Sequence, residues 1–379
     1  MPADDFSIPQ NVLMTVDVVG GVWTYALELC RALSRFNVNV SLATIGPGPD
    51  ASHRRDVRDL RNVQLYETGC KLEWVEQSER DRGETEASLL ALAGRVRADL
   101  VHLNSYSLAA LDWNVPVLVA AHSCLLSWWA AVKQEPAPAW FASYQRAVSR
   151  GLRNADIVVA PTRAMLNEVE RYYRSPDVTA VIPNGRSARD FCHARKEDVI
   201  LSAGRLWDEG KNIQLLDKIA RRLPWTVYVA GDRTHPNGSL AAFDHLVSLG
   251  MLSADELRPW FSRASIYAAP ARYEPFGLSI LEAALSGCAL VLGDIPSLRE
   301  NWTGAALFAP PDEPRAFQSA ILELIHDVPL CRRLAAAAST RALRFSPGAM
   351  AKSYLRAYSR AWEHFSHREQ PVAEEARIA

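Results

Sequence analysis

The sequence lacks several features that would assign it to a class at once. Acidic and basic side chains nearly cancel over its 379 residues, leaving a formal net charge of −1 at pH 7. Nonspecific binding to nucleic acid needs a strong basic surplus, so we expect no nucleic-acid partner. No apolar run approaches the ~20 residues that cross a bilayer, and the opening MPADDFSIPQ lacks the basic and apolar regions of a signal peptide. These absences predict a cytoplasmic protein, and leave open only a weak, peripheral contact with the inner membrane.

Two kinds of cofactor or crosslink motif are also missing. The six cysteines are scattered and show neither CxxC nor zinc-knuckle spacing. This pattern favours a reducing compartment without a disulfide framework. The sequence has no GxGxxG dinucleotide fingerprint at its first strand–helix junction, where Gly20-Gly21 stands instead.

Short apolar strands alternate with amphipathic helices along the whole chain, which predicts parallel, doubly wound sheets. The length favours two domains, and the turn residues Pro183-Asn184-Gly185 followed by a polar run suggest a boundary. We therefore predict an α/β protein with two Rossmann-like domains, residues 1–190 and 191–347, facing a cleft. The ligand is expected in that cleft. A helix is expected at 240–249, and a disordered tail at 366–379.

The segment SAGRLWDEGKN places two cations at a strand-to-helix junction. Arg205 follows the strand and Lys211 opens the next helix. A planar guanidinium and a mobile ammonium suit a diphosphate, and could neutralise it as a leaving group. The alternative is a surface loop in which Asp208 pairs with Lys211.

The segment ARYEPFGLSILEAALSGCALV is the most informative part of the chain. Glu274 and Glu282 lie at the start of a helix and one turn inside it, after a buried strand, where open α/β sheets bind ligands. Carboxylates would repel phosphates, so we expect them to accept hydrogen bonds from hydroxyls. The backbone N–H groups of Phe276, Gly277 and Leu278 could bind the substrate as well. The implied ligand carries phosphates and several hydroxyls.

The first domain offers weaker signals. Gly20 and Gly21 precede a helix and form either a phosphate-binding loop or only a tight turn. His122 ends an apolar strand, where it either hydrogen-bonds a ligand or is a satisfied core histidine. Trp128 and Trp129 follow it and either line an acceptor pocket or fill the core.

Taken together, these residues and Asn184 of the Pro-Asn-Gly turn resemble the family-4 retaining glycosyltransferases of the GT-B fold. The resemblance implies transfer of a sugar from a nucleotide sugar (UDP-, GDP- or ADP-linked) to a carbohydrate, glycolipid or small-molecule acceptor. It also implies that the second domain binds the donor and the first domain the acceptor. A last helix, about 349–365, would cross back to the first domain.

The resemblance also implies individual roles. Arg205 and Lys211 would hold the diphosphate, Glu274 the donor sugar and Glu282 the ribose. Gly21 would lie against the phosphates and His122 beside the reacting carbon. No metal or other cofactor is expected, and no suitably placed Asp-x-Asp motif is present. The spacing from Arg205 to Lys211 is one residue longer than in the commonest family pattern, and Asn212 replaces its glycine.

Three other functions remain compatible with these residues. A glycoside hydrolase would use Glu274 and Glu282 as its paired carboxyl groups. A nucleotide-sugar epimerase on a related fold would consume donor without an acceptor. A carbohydrate-binding protein with a degenerate site would carry out no reaction.

Overall fold

The protein is described from a computed structural model that covers residues 8–378, apart from 19, 72, 74–78, 174–176 and 236–237. The chain folds as two compact units. Unit 1 comprises Met1–Cys124, Ala137–Gly185 and Pro347–Ala379, and unit 2 comprises Leu125–Pro136 and Arg186–Ser346. The second unit therefore includes a short segment, 125–136, that interrupts the first unit in sequence.

Unit 1 is built on a parallel sheet of seven strands. These are β1 (Asn11–Asp17), β2 (Asn39–Ile45), β3 (Val63–Cys70), β4 (Leu100–Leu103), β5 (Val117–Ala120), β6 (Ile157–Ala160) and β7 (Thr179–Val181). Their spatial order is β3-β2-β1-β4-β5-β6-β7. The inner strands are continuous apolar runs, and Leu13 and Met14 of β1 are fully buried, because helices cover both faces of such a sheet.

Unit 2 repeats the design with six strands. These are β8 (Glu197–Ala203), β9 (Thr226–Ala230), β10 (Val247–Gly250), β11 (Ala264–Ala269), β12 (Ala289–Gly293) and β13 (Leu307–Ala309). They lie in the order β10-β9-β8-β11-β12-β13 and pair in parallel. The predicted fold class, two doubly wound parallel-sheet domains, is confirmed.

Thirteen α-helices connect and cover the strands in the described part of the chain. They are α1 (Gly21–Leu33), α2 (Ala51–Arg58), α3 (Glu79–Arg95), α4 (Leu125–Lys133), α5 (Ala142–Asn154), α6 (Arg163–Tyr172), α7 (Ile213–Ala220), α8 (Ala254–Arg263), α9 (Leu278–Leu285), α10 (Pro296–Trp302), α11 (Pro314–His326), α12 (Val328–Ala342) and α13 (Pro347–Ile378). Within the described ranges, no helix is both long and apolar enough to cross a membrane.

Strand order reverses at one point in each sheet. In unit 1 the reversal lies between β1 and β4, and in unit 2 between β8 and β11. Ligands of open α/β sheets bind outside the carboxyl ends of the strands at such a switch point. We therefore expect ligand-binding residues in the loops that follow these four strands.

Two local predictions differ from the structure. The helix expected at 240–249 is absent, and Val247–Gly250 instead forms the edge strand β10, with Val247 paired to Tyr228 of β9. Sheet pairing outweighs a short helical spacing of apolar residues there. The disordered tail expected at 366–379 also differs, because the backbone of α13 continues to Ile378. Its alanine, glutamate and arginine residues favour helix.

Candidate active site

The loop after β8 is anchored to the rest of unit 2 by its backbone. The Gly204 N–H donates to Ala230 O at 3.0 Å, and the Leu206 N–H donates to Asp232 O at 2.8 Å. Gly204 has a φ of +151° and Gly231 one of +138°. A Cβ on Gly231 would lie 1.8 Å from Gly204 O, so glycine is required for this close approach.

Asp208 organises the loop from inside. Its side chain is 6% exposed and accepts from Arg205 Nη2 at 2.8 Å, the Gly210 N–H at 2.8 Å and Trp128 Nε1 at 3.0 Å. Burial opposes ionisation of this carboxyl, but the nearby Arg205 and Lys211 outweigh burial and lower its pKa. The alternative of a surface loop with an Asp208–Lys211 pair differs from the structure, in which Asp208 pairs with Arg205.

Lys211 reaches the other side of the switch point. Its ammonium forms an ion pair with the Glu274 carboxylate, which follows β11. Backbone bonds bring the two loops together, because Gly210 O accepts from the N–H groups of Arg272 at 2.9 Å and Tyr273 at 3.2 Å. The proximity of Lys211 and Glu274 at this edge is thus a consequence of strand order.

Asn212 stands where the commonest family pattern has a glycine, and it adopts the backbone conformation that a glycine would. It adopts a left-handed conformation with φ +56° and ψ +35°, which asparagine tolerates better than most residues. Its side-chain amide donates to Pro270 O at 2.9 Å and to Pro311 O at 2.7 Å. Asn212 therefore supplies both the backbone shape of a glycine and two extra bonds that hold the loop.

Glu282 lies within α9 and has a partner that the sequence did not reveal. Its Oε1 lies 2.9 Å from Nε of Arg186, and the two side chains are 13% and 7% exposed. The Arg186 guanidinium also lies 5.4 Å from the centroid of the Phe191 ring. A buried arginine therefore holds the second carboxylate in place.

The turn before α9 has the geometry that its sequence predicts. Gly277 is left-handed, with φ +87°, and a Cβ there would lie 2.7 Å from Ile280 Cδ1. Phe276 is buried, and its ring contacts Phe345 edge-on at 5.6 Å. The N–H groups of the first helical turn, starting at Leu278, have no partner inside the helix. These groups can receive a ligand oxygen.

Two further contacts fix this half of the site. Ser297 Oγ donates to Glu274 O at 2.6 Å. The Tyr267 hydroxyl lies 2.8 Å from Ser279 Oγ and accepts from the Ala203 N–H at 3.2 Å. Tyr267 thereby ties the end of β8 to the first turn of α9.

Helix α4 packs in unit 2 although its sequence directly follows the first-domain strand β5. Besides the bond from Trp128 to Asp208, Ser127 Oγ donates to the Tyr273 hydroxyl at 3.1 Å. Lys133 Nζ lies 2.8 Å from Glu209 Oε1. We did not predict from the sequence that Trp128 would support the loop after β8 through a hydrogen bond, because its partner Asp208 lies far along the chain.

The residues predicted in unit 1 lie around its own switch point. Gly20 is left-handed, with φ +89°, and precedes α1, which starts at Gly21. His122 follows β5, and its Nε2 lies 2.7 Å from Asn104 Oδ1. The Tyr25 ring of α1 contacts the His122 ring at 4.3 Å. Burial lowers the pKa of His122 to about 4, so the imidazole is neutral at pH 7.

Asn184 is buried, at 6% exposure, and follows β7 at the end of the segment Ala137–Gly185 of unit 1. The structure therefore brings together Arg205, Lys211, Glu274 and the start of α9 in unit 2, and Gly20, Gly21 and His122 at the switch point of unit 1. In the described ranges, no group of three or more His, Cys, Asp or Glu residues could hold a metal ion.

Known structures resemble this architecture closely. Sucrose-phosphate synthase from Thermosynechococcus elongatus superposes with a TM-score of 0.73 at 20% identity, covering 92% of this chain and 98% of that one. Anabaena HepE, solved in complex with UDP-glucose, gives 0.73 at 17% identity, covering 92% and 99%. The fold is thus that of the GT-B glycosyltransferases.

Family models assign the chain more closely. The model for Glycosyltransferase Family 4 matches residues 19–188, and the model for Glycosyl transferases group 1 matches residues 197–327. The chain therefore belongs to the family-4 glycosyltransferases.

Two relatives illustrate the range of similarity. D-inositol 3-phosphate glycosyltransferase of Corynebacterium diphtheriae is 25% identical over 396 residues, covering 90% of each chain. O-antigen chain mannosyltransferase RfbU of Salmonella typhimurium is 31% identical over 155 residues, covering 38% of this chain and 43% of the relative.

Proposed function

We propose that the protein is a retaining glycosyltransferase that moves a sugar from a nucleoside-diphosphate sugar to an acceptor hydroxyl without a metal ion. The observation that carries this proposal is the arrangement at the switch point of unit 2. Two cations, Arg205 and Lys211, lie on the loop after β8, and Glu274 lies on the loop after β11. The cations suit a diphosphate and the carboxylate suits sugar hydroxyls.

In the proposed reaction, the bond from the anomeric carbon to the diphosphate oxygen breaks and negative charge grows on the leaving group. Arg205, Lys211 and the first N–H groups of α9 receive this charge without having to reorganise. A bond from the acceptor oxygen to the same face of the anomeric carbon forms, and the acceptor proton passes to the leaving phosphate. The diphosphate must share or displace Asp208 at Arg205 and Glu274 at Lys211.

The pairing of the carboxylates argues against a glycoside hydrolase. Such an enzyme needs one carboxyl group that stays protonated as a general acid. Glu274 contacts Lys211, and Glu282 contacts Arg186. Both carboxylates are thus already engaged by a cation, which leaves neither free to act as that acid. Glu282, held by Arg186, is instead proposed to accept from the ribose hydroxyls.

For the acceptor, the relatives favour a small polyol phosphate. The similarity to the D-inositol 3-phosphate glycosyltransferase extends over nearly the whole chain, whereas that to RfbU covers about a third. HepE, which shares only the fold, was solved with UDP-glucose. UDP-glucose and D-inositol 3-phosphate are therefore the first donor and acceptor to test.

A thermal-shift screen with UDP-, GDP- and ADP-linked sugars tests donor binding. A donor at 100 times its Kd is expected to stabilise the protein by about 2.7 kcal/mol. No response to any of them would contradict the proposal. Incubation of the binding donor with candidate acceptors then separates the alternatives, because an epimerase converts the donor without acceptor and a binding protein leaves it unchanged. The anomeric configuration of the product, measured by NMR, tests retention.

A further inference from the structure

The ring of His122 has a hydrogen-bond partner whose orientation is fixed independently. Asn104 follows β4, and His122 follows the neighbouring strand β5, which pairs with β4 in parallel through Leu103 and Val119. This register places the two side chains at the same edge of the sheet. His122 Nε2 and Asn104 Oδ1 are 2.7 Å apart.

The amide of Asn104 can adopt only one orientation. Its Nδ2 donates to the carbonyl oxygen of Thr15 at 2.6 Å, and its own backbone N–H donates to Thr15 Oγ1 at 2.9 Å. Reversing the amide would bring two oxygen atoms together at 2.6 Å, with no hydrogen between them. The atom facing His122 is therefore the amide oxygen, which can only accept.

This orientation determines the tautomer of the histidine. Because Asn104 Oδ1 accepts, Nε2 of His122 must carry the hydrogen. In a neutral imidazole the other nitrogen, Nδ1, then has a lone pair and no hydrogen. Burial keeps the ring neutral at pH 7. The groups that face it are neutral too, since burial raises the pKa of Tyr25 and lowers that of His102 to about 3.

We propose that Asn104 is a positioning residue that fixes His122 in the Nε2-protonated form, so that Nδ1 can only accept a hydrogen bond from a substrate and cannot donate one. This inference rests on the proposed function and on the family-4 resemblance, which implies that His122 hydrogen-bonds the substrate. In the described part of the chain, Nδ1 takes part in no hydrogen bond, and the side chain is partly exposed. A substrate group that faces Nδ1 of His122 must therefore donate the hydrogen bond, as a hydroxyl can.

Nitrogen-15 NMR of the histidine ring tests the tautomer in the full-length protein without any ligand. We expect the wild-type spectrum at pH 7 to show a protonated Nε2 and an unprotonated Nδ1 for His122. In Asn104→Leu the preference should be lost. A protonated Nδ1 in the wild type, or an unchanged tautomer in Asn104→Leu, would overturn the assignment.

A matched variant separates positioning from general stability. The amide of Asn62 also donates to backbone carbonyls of unit 1, those of Cys30 and Val38, each at 3.0 Å. Asn62→Leu is expected to lower stability yet leave the His122 spectrum unchanged. A shifted tautomer in this control would show that the spectrum reports loosening of the unit rather than contact with Asn104.

Turnover gives the functional readout. With the donor that the thermal-shift screen identifies, Asn104→Leu is expected to lower kcat/KM about 3- to 10-fold relative to Asn62→Leu, the effect of one neutral hydrogen bond. Equal kcat/KM in the two leucine variants would overturn the positioning role. If no donor binds, the proposed function fails, while the tautomer measurement still decides the contact between Asn104 and His122.

Discussion

At the scale of single residues, the site is a set of charges that are already paired before any ligand arrives. Arg205 is held by Asp208, Lys211 by Glu274 and Glu282 by Arg186. Pairing holds each side chain in place, which lowers the reorganisation needed when a charged ligand binds. A ligand must then exchange protein contacts for its own.

Substitution of the two cations tests their proposed role at the leaving group. Arg205→Ala and Lys211→Ala are each expected to reduce kcat about 10²–10³-fold, because each removes one preorganised group from the developing charge. Steady-state kinetics with the identified donor measures this. Arg258→Ala removes a cation that pairs with Asp255 on α8 and should leave kcat unchanged. Near wild-type kcat in both loop variants would refute the phosphate assignment.

Asp208 is expected to make stability depend on pH in acid. Arg205 and Lys211 lower its pKa below the ordinary value of 3.8. Because the folded pKa is depressed, its contribution is complete above about pH 4 and is lost as the pH falls through the folded pKa. Above pH 4, Asp208→Asn should cost about 1–3 kcal/mol in the free energy of unfolding.

Urea denaturation of both proteins between pH 2 and 7 measures this difference. The two curves should converge as the pH falls through the lowered folded pKa of Asp208, because the wild-type carboxyl then becomes protonated. A gap that stays constant across the range would contradict an ionised, paired Asp208.

At the scale of elements, the site depends on how closely the loops after β8 and β9 approach. Gly204 and Gly231 meet backbone to backbone, and the loop after β8 is further tied to Arg272 and Tyr273 through Gly210 O. Main-chain contacts thus position the loop that carries Arg205 and Lys211, in addition to the side-chain bonds of Asp208 and Asn212.

Gly231→Ala should disrupt this arrangement. Its Cβ would lie 1.8 Å from Gly204 O, at a φ that side chains rarely adopt. We expect a loss of more than about 2 kcal/mol in the free energy of unfolding. Thermal or urea denaturation measures it. Gly94→Ala, where nothing lies within 4 Å of the new Cβ, should be neutral or slightly stabilising because α3 gains helix propensity. Similar behaviour of both variants would rule out the close approach as a constraint.

At the scale of the whole molecule, each of the two units is built from more than one segment of the chain. Residues 125–136 leave unit 1 for unit 2, and α13 returns the chain to unit 1. A buried polar network anchors that return, because His102 Nδ1 lies 2.9 Å from the Tyr358 hydroxyl of α13, and His102 Nε2 lies 3.2 Å from the Tyr25 hydroxyl.

Removal of one hydroxyl from this network tests how firmly α13 is held. Tyr358→Phe leaves a buried ring nitrogen of His102 without its partner, which should cost about 1–3 kcal/mol in the free energy of unfolding. Tyr172→Phe, on a partly exposed side chain of α6, should change it by less than about 0.5 kcal/mol. Urea denaturation of the two variants provides the comparison. An equal effect would show that the network does not anchor the helix.

The sequence determined the alternation of strands and helices and the segments that carry charge. Apolar runs of strand length can be buried only in a parallel sheet covered by helices, so the fold class followed from local pattern. Arg205, Lys211 and Glu274 were found because strand ends and helix starts are visible in sequence. The roles assigned to them remain predictions.

Only the tertiary structure shows which side chains and strands these segments pair with. Asp208 meets Trp128, and Glu282 meets Arg186, across long stretches of chain, and no local pattern encodes such contacts. The same holds for β10, where pairing with β9 outweighed a helical spacing, and for Asn104, whose bond to Thr15 fixes the amide that faces His122. Strand order brings these residues together, and that order is set by packing of the whole sheet.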